Sequence, residues 1–210
     1  MKHLACAAAL CVAPLPALAD CTAEIAALFD GGALDAYARP PHRHFKEIRG
    51  EDGTLKQTFT SVVETPLKTI SDDSAGTYAL AVEDRAWTGP GEDGPWTPSP
   101  ANFPADRKGT HKAMMAAQVR NLKDTVCHGT VTRDGRDYLG YTFTTQTDPD
   151  PQFGNAFFGS TDTVFIDPAT GRLAIWQQTG LFSSWLPTPQ TDVYTTTFTY
   201  DPTISIEAPE

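Results

Sequence analysis

Three runs decide how this chain folds: YLGYTFTTQT at 138–147, TVFIDPATGRLAIWQQT at 163–179 and DVYTTTFTY at 192–200. Apolar and polar residues alternate in each, the mark of a strand with one face on a core and one in water. The middle run is bent by Asp167-Pro168-Ala169-Thr170-Gly171. There Pro fixes φ early and Gly is free to take positive φ, so the run reads as two strands joined by a hairpin connection. The segment from Asp137 to Ile206 is therefore predicted to be an antiparallel meander.

Working upstream, Asp134-Gly135 joins Val126–Thr132 to Tyr138–Thr147 as a hairpin of the Asp-Gly kind. Before it, Met115, Val119, Leu122 and Val126 recur at four, three and four, which predicts an amphipathic helix from about Asp106 or Thr110 to Thr125. Arg107, Lys108, Lys112, Arg120 and Lys123 make this the most basic part of the chain, read as a solvated face. From Trp87 to Pro104 the chain is rich in Pro and Gly yet carries Trp87, Trp96 and Phe103. Such a stretch predicts a loop without a regular ladder, its aromatics either pinning it to the body or forming a rim over a cavity. Leu181–Pro189 carries Phe182, Trp185 and Leu186 in a loop composition, apolar residues that either fold onto the core or expose a patch.

From His42 to Val82 strands are expected again. Phe45 and Ile48 lead into the turn Gly50–Gly53. Leu55, Gln57, Phe59, Ser61 and Val63 then alternate with Lys56, Thr58 and Thr60, and Pro66 ends that strand or puts it at an edge. Leu67–Ile70 and Thr77–Val82 make two more. At the start, Asp20 is placed to cap a helix bearing Cys21, Ile25, Leu28 and Phe29 at helical spacing. Gly31-Gly32 ends or kinks that helix, and Pro40-Pro41 stops it. Helix, strands, helix, strands is an α+β pattern, with helices covering one face of an antiparallel sheet.

Residues 1–19 read as a secretory signal peptide: Lys2 and His3, a short apolar run, then Ala17-Leu18-Ala19. The rival is a lipoprotein signal, since Cys21 follows closely, but Asp20 stands where that processing needs a small neutral residue. Residues 20–210 would then be one exported α+β domain, soluble in the periplasm and expected to be a monomer. Without Lys2, 15 basic residues face 26 acidic ones, a net charge near −11. That balance argues against nucleic acid and anionic membrane surfaces, which need clustered Lys and Arg. Past the signal peptide no apolar run approaches the roughly 20 residues of a membrane-spanning helix. Cys21 and Cys127 remain after cleavage, and an even pair in an oxidising compartment most simply forms one disulfide. A reactive or metal-binding thiol is the alternative.

Motifs for chemistry are sparse. The chain has no phosphate-binding Gly-x-x-x-x-Gly-Lys, Gly-x-Ser-x-Gly, His-Glu-x-x-His or Cys-x-x-Cys. Phe158-Gly159-Ser160 lacks the first glycine of a nucleophile elbow. Asp148 and Asp150, flanked by prolines, read as turn residues before a calcium site. The best metal candidate is His42-Arg43-His44, whose imidazoles share a strand face. A third ligand would have to come from distant His111 or His128, so surface histidines are the competing reading. No cofactor and no catalytic residue is expected.

Asp-Gly-Pro-Trp-Thr at 93–97, TVFIDPATGRL at 163–173 and TFTYDPTISIEAP at 197–209, set in this order of elements, resemble the periplasmic LolA-like group. That group includes the lipoprotein carrier LolA, LppX-type lipid binders and the sensor domain of RseB. The resemblance implies a curved antiparallel half-barrel whose two main helices cover the concave face. It also implies an apolar cavity for acyl chains. The expected function is thus non-enzymatic sheltering of a lipid or lipid-modified partner, with Trp87, Trp96, Phe103, Phe182 and Trp185 as cavity or lid residues. Two other readings stay open: an envelope sensor or scaffold binding another protein through exposed aromatic loops, and a hydrolase with an unrecognised cleft of convergent, pKa-shifted carboxylates.

Overall fold

The computed structural model describes residues 20–101, 103–151 and 154–209; the signal-peptide reading of 1–19 lies outside them. Among these residues, one antiparallel sheet of eleven strands, curved and unclosed, carries two α-helices. The chain enters through α1 (Cys21–Leu28), where Asp20 caps by accepting from the Thr22 backbone N–H at 3.0 Å. A run of turns to Pro41 leads to β1 (His42–Arg49), and β2 (Leu55–Thr65), β3 (Lys68–Asp72), β4 (Tyr78–Val82), β5 (Arg85–Gly89) and β6 (Thr97–Ser99) follow. Then α2 (Arg107–Arg120) crosses to the far edge. From there β7 (Lys123–Arg133), β8 (Arg136–Gln146), β9 (Phe158–Asp167), β10 (Arg172–Ser183) and β11 (Val193–Tyr200) return, so that β11 pairs with β1. The alternating runs and the Asp134-Gly135 hairpin appear where the sequence placed them, with φ of 50° and 75° at the two turn residues.

Two expectations need correction. The segment from Trp87 does hold a ladder: β5 pairs with β4, and β6 pairs with β5 with Pro98 opposite Trp87. A proline lacking its N–H is tolerated there because β6 is an edge strand. The second helix ends at Arg120, and from Lys123 the chain is strand, with Lys123 opposite Thr144 and Val126 opposite Thr142. β-branched Thr125 and Val126 favour the pleated state, and Val126 points outward while Cys127 faces Tyr141.

The core lies on both sides of the sheet. Pairing aligns Tyr141, Val164, Trp176, Thr196, Lys46 and Phe59 in one row across six strands, hence on one face. Over β8–β11 this face meets Ile25, Phe29 and Leu34 from α1 and the loop after it, and Val119 from α2. Phe143, fully buried, packs edge-on to Phe29 at 5.8 Å. The Tyr141 hydroxyl donates to Glu24 at 2.7 Å; burial and that bond push its pKa up to about 12. The Cys21–Cys127 disulfide joins α1 to β7. The aligned row Val62, Ile70, Leu80 and Trp87 belongs to the opposite face, since Val62 is an odd number of residues from Phe59. There a second cluster is closed by Ile204, Ile206 and Ala208 of the C-terminal segment. β2 is thus buried on both faces, with Ser61 and Val62 each inaccessible, where its sequence suggested one apolar face.

Candidate functional site

The sheet and α2 frame two adjoining clefts of 390 and 510 Å³ that share Met114, Thr147 and Phe158. Those volumes fall in the range of small-ligand pockets, about 300–1,000 Å³. Their common wall is one side of α2. The C-terminal end of that helix is pinned by Asn121 Nδ2, which donates to the Gln146 carbonyl at 3.1 Å and to Asp148 Oδ1 at 2.9 Å, and by the Arg120–Asp148 ion pair at 2.6 Å. Those two contacts hold the Asp148 carboxyl below its ordinary pKa, Arg120 first. Asp148 is therefore already engaged, and it forms no cation cluster with Asp150 among the described residues.

The other wall comes from an irregularity in the β9–β10 ladder. Pairing shifts between Thr179 and Phe182, with Gly180 at φ 58°, and such a bulge re-aims the residues beyond it. The Phe182 ring then lies directly over Gly159, where a Cβ would come within 2.2 Å of it. Past the bulge the chain turns tightly through reciprocal backbone bonds between Ser183 and Leu186, placing Trp185 at the tip. Trp185 is 68% exposed and meets Phe158, 50% exposed, edge-on at 5.5 Å. With Met114 and Leu186, also exposed, they form an apolar rim around the clefts.

The floor of the smaller cleft is polar. Ser160 and Gln178 line it, and both donate to the buried Asp162 carboxylate behind them, at 2.8 and 3.0 Å, alongside Trp176 Nε1 at 2.6 Å. Burial raises the Asp162 pKa, and the three donors pull it back only in part. No cation pairs with this group among the described residues. A carboxyl whose folded pKa is raised adds stability below its unfolded pKa, near 3.8, and loses it as pH rises through the folded value. Asp162→Asn keeps an acceptor for Trp176 and Gln178 and turns an N–H toward Ser160. It is expected to match the native protein near pH 4 and to gain on it toward pH 7, read as urea midpoints against pH.

The five aromatics chosen from sequence do not meet. Phe182 and Trp185 line the clefts. Trp87 and Trp96 belong to the second core instead, and the Arg107 guanidinium covers Phe103 at 4.0 Å, just before α2. Leu186 stands with Phe182 and Trp185 in the apolar loop seen in sequence, whereas Met114 and Phe158 are not candidates there. Their signal was faint: one Met beside another on a helix, and an apolar residue in a turn-rich stretch. His42 and His44 do share a face, 5.9 Å apart, packed against Phe198. His42 Nδ1 sits 2.8 Å from the Pro40 carbonyl, while burial lowers both pKa values, that of His44 to about 4. Arg39 and Lys46 beside them oppose a further cation. His111 bonds Tyr37 at 3.2 Å and His128 bonds Thr142 at 2.9 Å. Among the described residues no three potential ligands gather.

No family model matches the chain, and no curated protein does. Among solved structures it is similar to the Mycobacterium tuberculosis lipoprotein LppX, at 13% identity and a TM-score of 0.52 over 88% of this chain and 99% of that one. The fold is LolA-like. LprF from Mycobacterium bovis aligns at 11% identity, TM-score 0.47, over 89% and 97% of the two chains. A LolA superfamily protein from Nitrosomonas europaea aligns at 11%, TM-score 0.28, over 82% and 90%. At such identities the LolA-like likeness, carried by LppX, is one of architecture: the unclosed sheet and its two helices.

Proposed function

We propose that this protein is a non-enzymatic binding protein of the periplasm that shelters a lipid or lipid-modified partner, taking an acyl chain into the clefts between α2 and β9–β10. The observation that carries the reading is the rim of Met114, Phe158, Trp185 and Leu186, large apolar side chains left in water around concave surface. Each methylene moved from water into such a site contributes about 0.8 kcal/mol. In this reading residues 20–210 are one domain acting as a monomer, the two helices cover the concave face of a half-barrel, and 1–19 direct export. The absence of any described helix long and apolar enough to cross a membrane is compatible with it. The LolA-like fold supports it as architecture.

Trp185 is the most exposed of the large apolar residues among those described, so it reports entry of a ligand. A fluorescent fatty acid is expected to bind with a blue shift of Trp185 emission, absent in Trp185→Phe. Met114→Lys with Phe158→Lys is expected to weaken binding by about tenfold or more, the loss of roughly two apolar contacts. Leu55→Lys, an exposed apolar position on β2, leaves it unchanged. Equal binding by all three would contradict the assignment of the cleft.

The exposure of Trp185 and Phe158 also favours a second reading, an envelope sensor or scaffold that binds another protein through this rim. It predicts specific capture of one envelope protein, lost with the same double substitution, and no extractable lipid.

A further inference from the structure

At the other end of β9–β11 lies a smaller cleft of 230 Å³, lined by Arg39, Arg172, Tyr200 and the glycines of two turns, Gly32 and Gly171. The β9 strand between the two ends has ten residues, about 30 Å at strand rise, so this is a separate place on the molecule. Two arginines line this smaller cleft. Arg39 stacks over Phe198 at 5.6 Å and Arg172 over Tyr200 at 5.1 Å, and those rings, two residues apart on β11, share a face. Neither arginine lies within ion-pair distance of a carboxylate among the described residues. The Nε of Arg39 is buried and has no hydrogen-bond partner there.

The neighbouring carboxylates are committed elsewhere. Burial lowers the Arg39 pKa, and Asp35, whose charge offsets this only in part, accepts from the backbone N–H groups of Gly31 at 3.1 Å and Tyr37 at 2.8 Å. Asp167 accepts from the Ala169 N–H at 2.9 Å and faces Arg136 at 4.0 Å. In a chain of net charge −10, two unpaired guanidinium groups beside one cleft, one with an unmade buried donor, are a specific departure. A buried polar donor is stable only with an acceptor, and the planar fork of arginine matches an oxyanion best.

We infer that this cleft binds one phosphate-type oxyanion, held between Arg39 and Arg172. The inference stands independently of the acyl-chain reading, because the clefts share no residue. The anion has two sources, free phosphate or the head of a phospholipid, and the test separates them. The full-length mature protein is titrated at constant ionic strength with inorganic phosphate, and separately with dihexanoyl phosphatidic acid below its micelle concentration. Amide chemical shifts of residues 31–39 and 170–173 and the thermal midpoint are followed.

Shifts confined to those residues, with affinity reduced by about tenfold or more in both Arg39→Gln and Arg172→Gln, are expected, each arginine supplying a charge-assisted bond. Arg85→Gln, an arginine over Trp87 on the far side of the sheet, is expected to bind as the native protein does. Response to inorganic phosphate assigns a free oxyanion, and arginine-dependent response to the phospholipid alone assigns a headgroup. Should Arg39→Gln fail to fold, Arg172→Gln at the exposed start of β10 decides alone. No response to either ligand, or binding retained in Arg172→Gln, overturns the inference.

Discussion

Breaking the Cys21–Cys127 bridge, by reduction or by Cys127→Ser, is expected to lower the unfolding free energy by about 4 to 5 kcal/mol on the chain-entropy account. The bridge closes a loop of 106 residues, which holds all of β1–β6 and α2. Opening it returns that conformational freedom to the unfolded chain. The native state depends on the link for a second reason: α1 has only eight residues, too few to be helical alone, so its tertiary contacts hold it. Ile25 of that helix and Phe29 at its end cover Phe143, Val164 and Leu173. Urea unfolding with and without reductant measures the loss. The oxidised native protein should stand clear of both the reduced protein and Cys127→Ser, which should coincide. A difference below about 1 kcal/mol would mean that the unfolded chain keeps these elements together without the bond.

Ile206→Ala is expected to cost about 3 kcal/mol, within the range for emptying a large aliphatic site in a core. Ile206 is 3% exposed and lies on Val62, Leu80, Val82 and Trp87, the cluster on the opposite face of β2–β5. Its backbone N–H donates to Glu64 Oε2 at 2.6 Å, and Glu64 is itself paired with Lys68 at the β2–β3 turn. Among the described residues the segment after β11 has no strand partner, so these contacts hold it. The loss should be regional before it is global. Hydrogen exchange is expected to quicken in β3–β5, while β8–β10, packed under α1, keep their protection. Uniform acceleration would show one cooperative core, and unchanged exchange would show that the C-terminal segment does not seal this face.

That second core explains what the sequence could and could not disclose. Period-two alternation over Tyr138–Thr147 and Asp192–Tyr200 shows a strand wherever one face is wet, and those strands are legible. In β2 the same habit misleads, because Ser61 and Val62 are both buried and the face cannot be told from hydropathy. β5 and β6 have five and three residues among glycines and prolines, too short for any period to emerge. The helix boundary at Arg120 is set by pairing of Lys123–Val126 with β8, a long-range contact that overrides the Met115–Val119–Leu122 spacing. The site was half legible for the same reason. Aromatics in loops are visible in sequence, but whether one seals a core, as Trp87 does, or rims a cleft, as Trp185 does, depends on which strand lies beneath it. The Arg39–Arg172 pair, drawn from positions 133 residues apart in the chain, has no sequence signal at all.

The central claim, that this protein carries a lipid or lipid-modified ligand, is tested most directly by native mass spectrometry of the mature protein taken from a periplasmic extract without detergent. The account predicts a reproducible adduct of lipid-like mass that disappears on organic extraction and returns when the apoprotein is incubated with lipid extract. A phosphate-sized adduct alone would speak only for the Arg39–Arg172 cleft. An apo mass that stays clean through both steps would contradict the account and leave the exposed Trp185 rim to a protein partner.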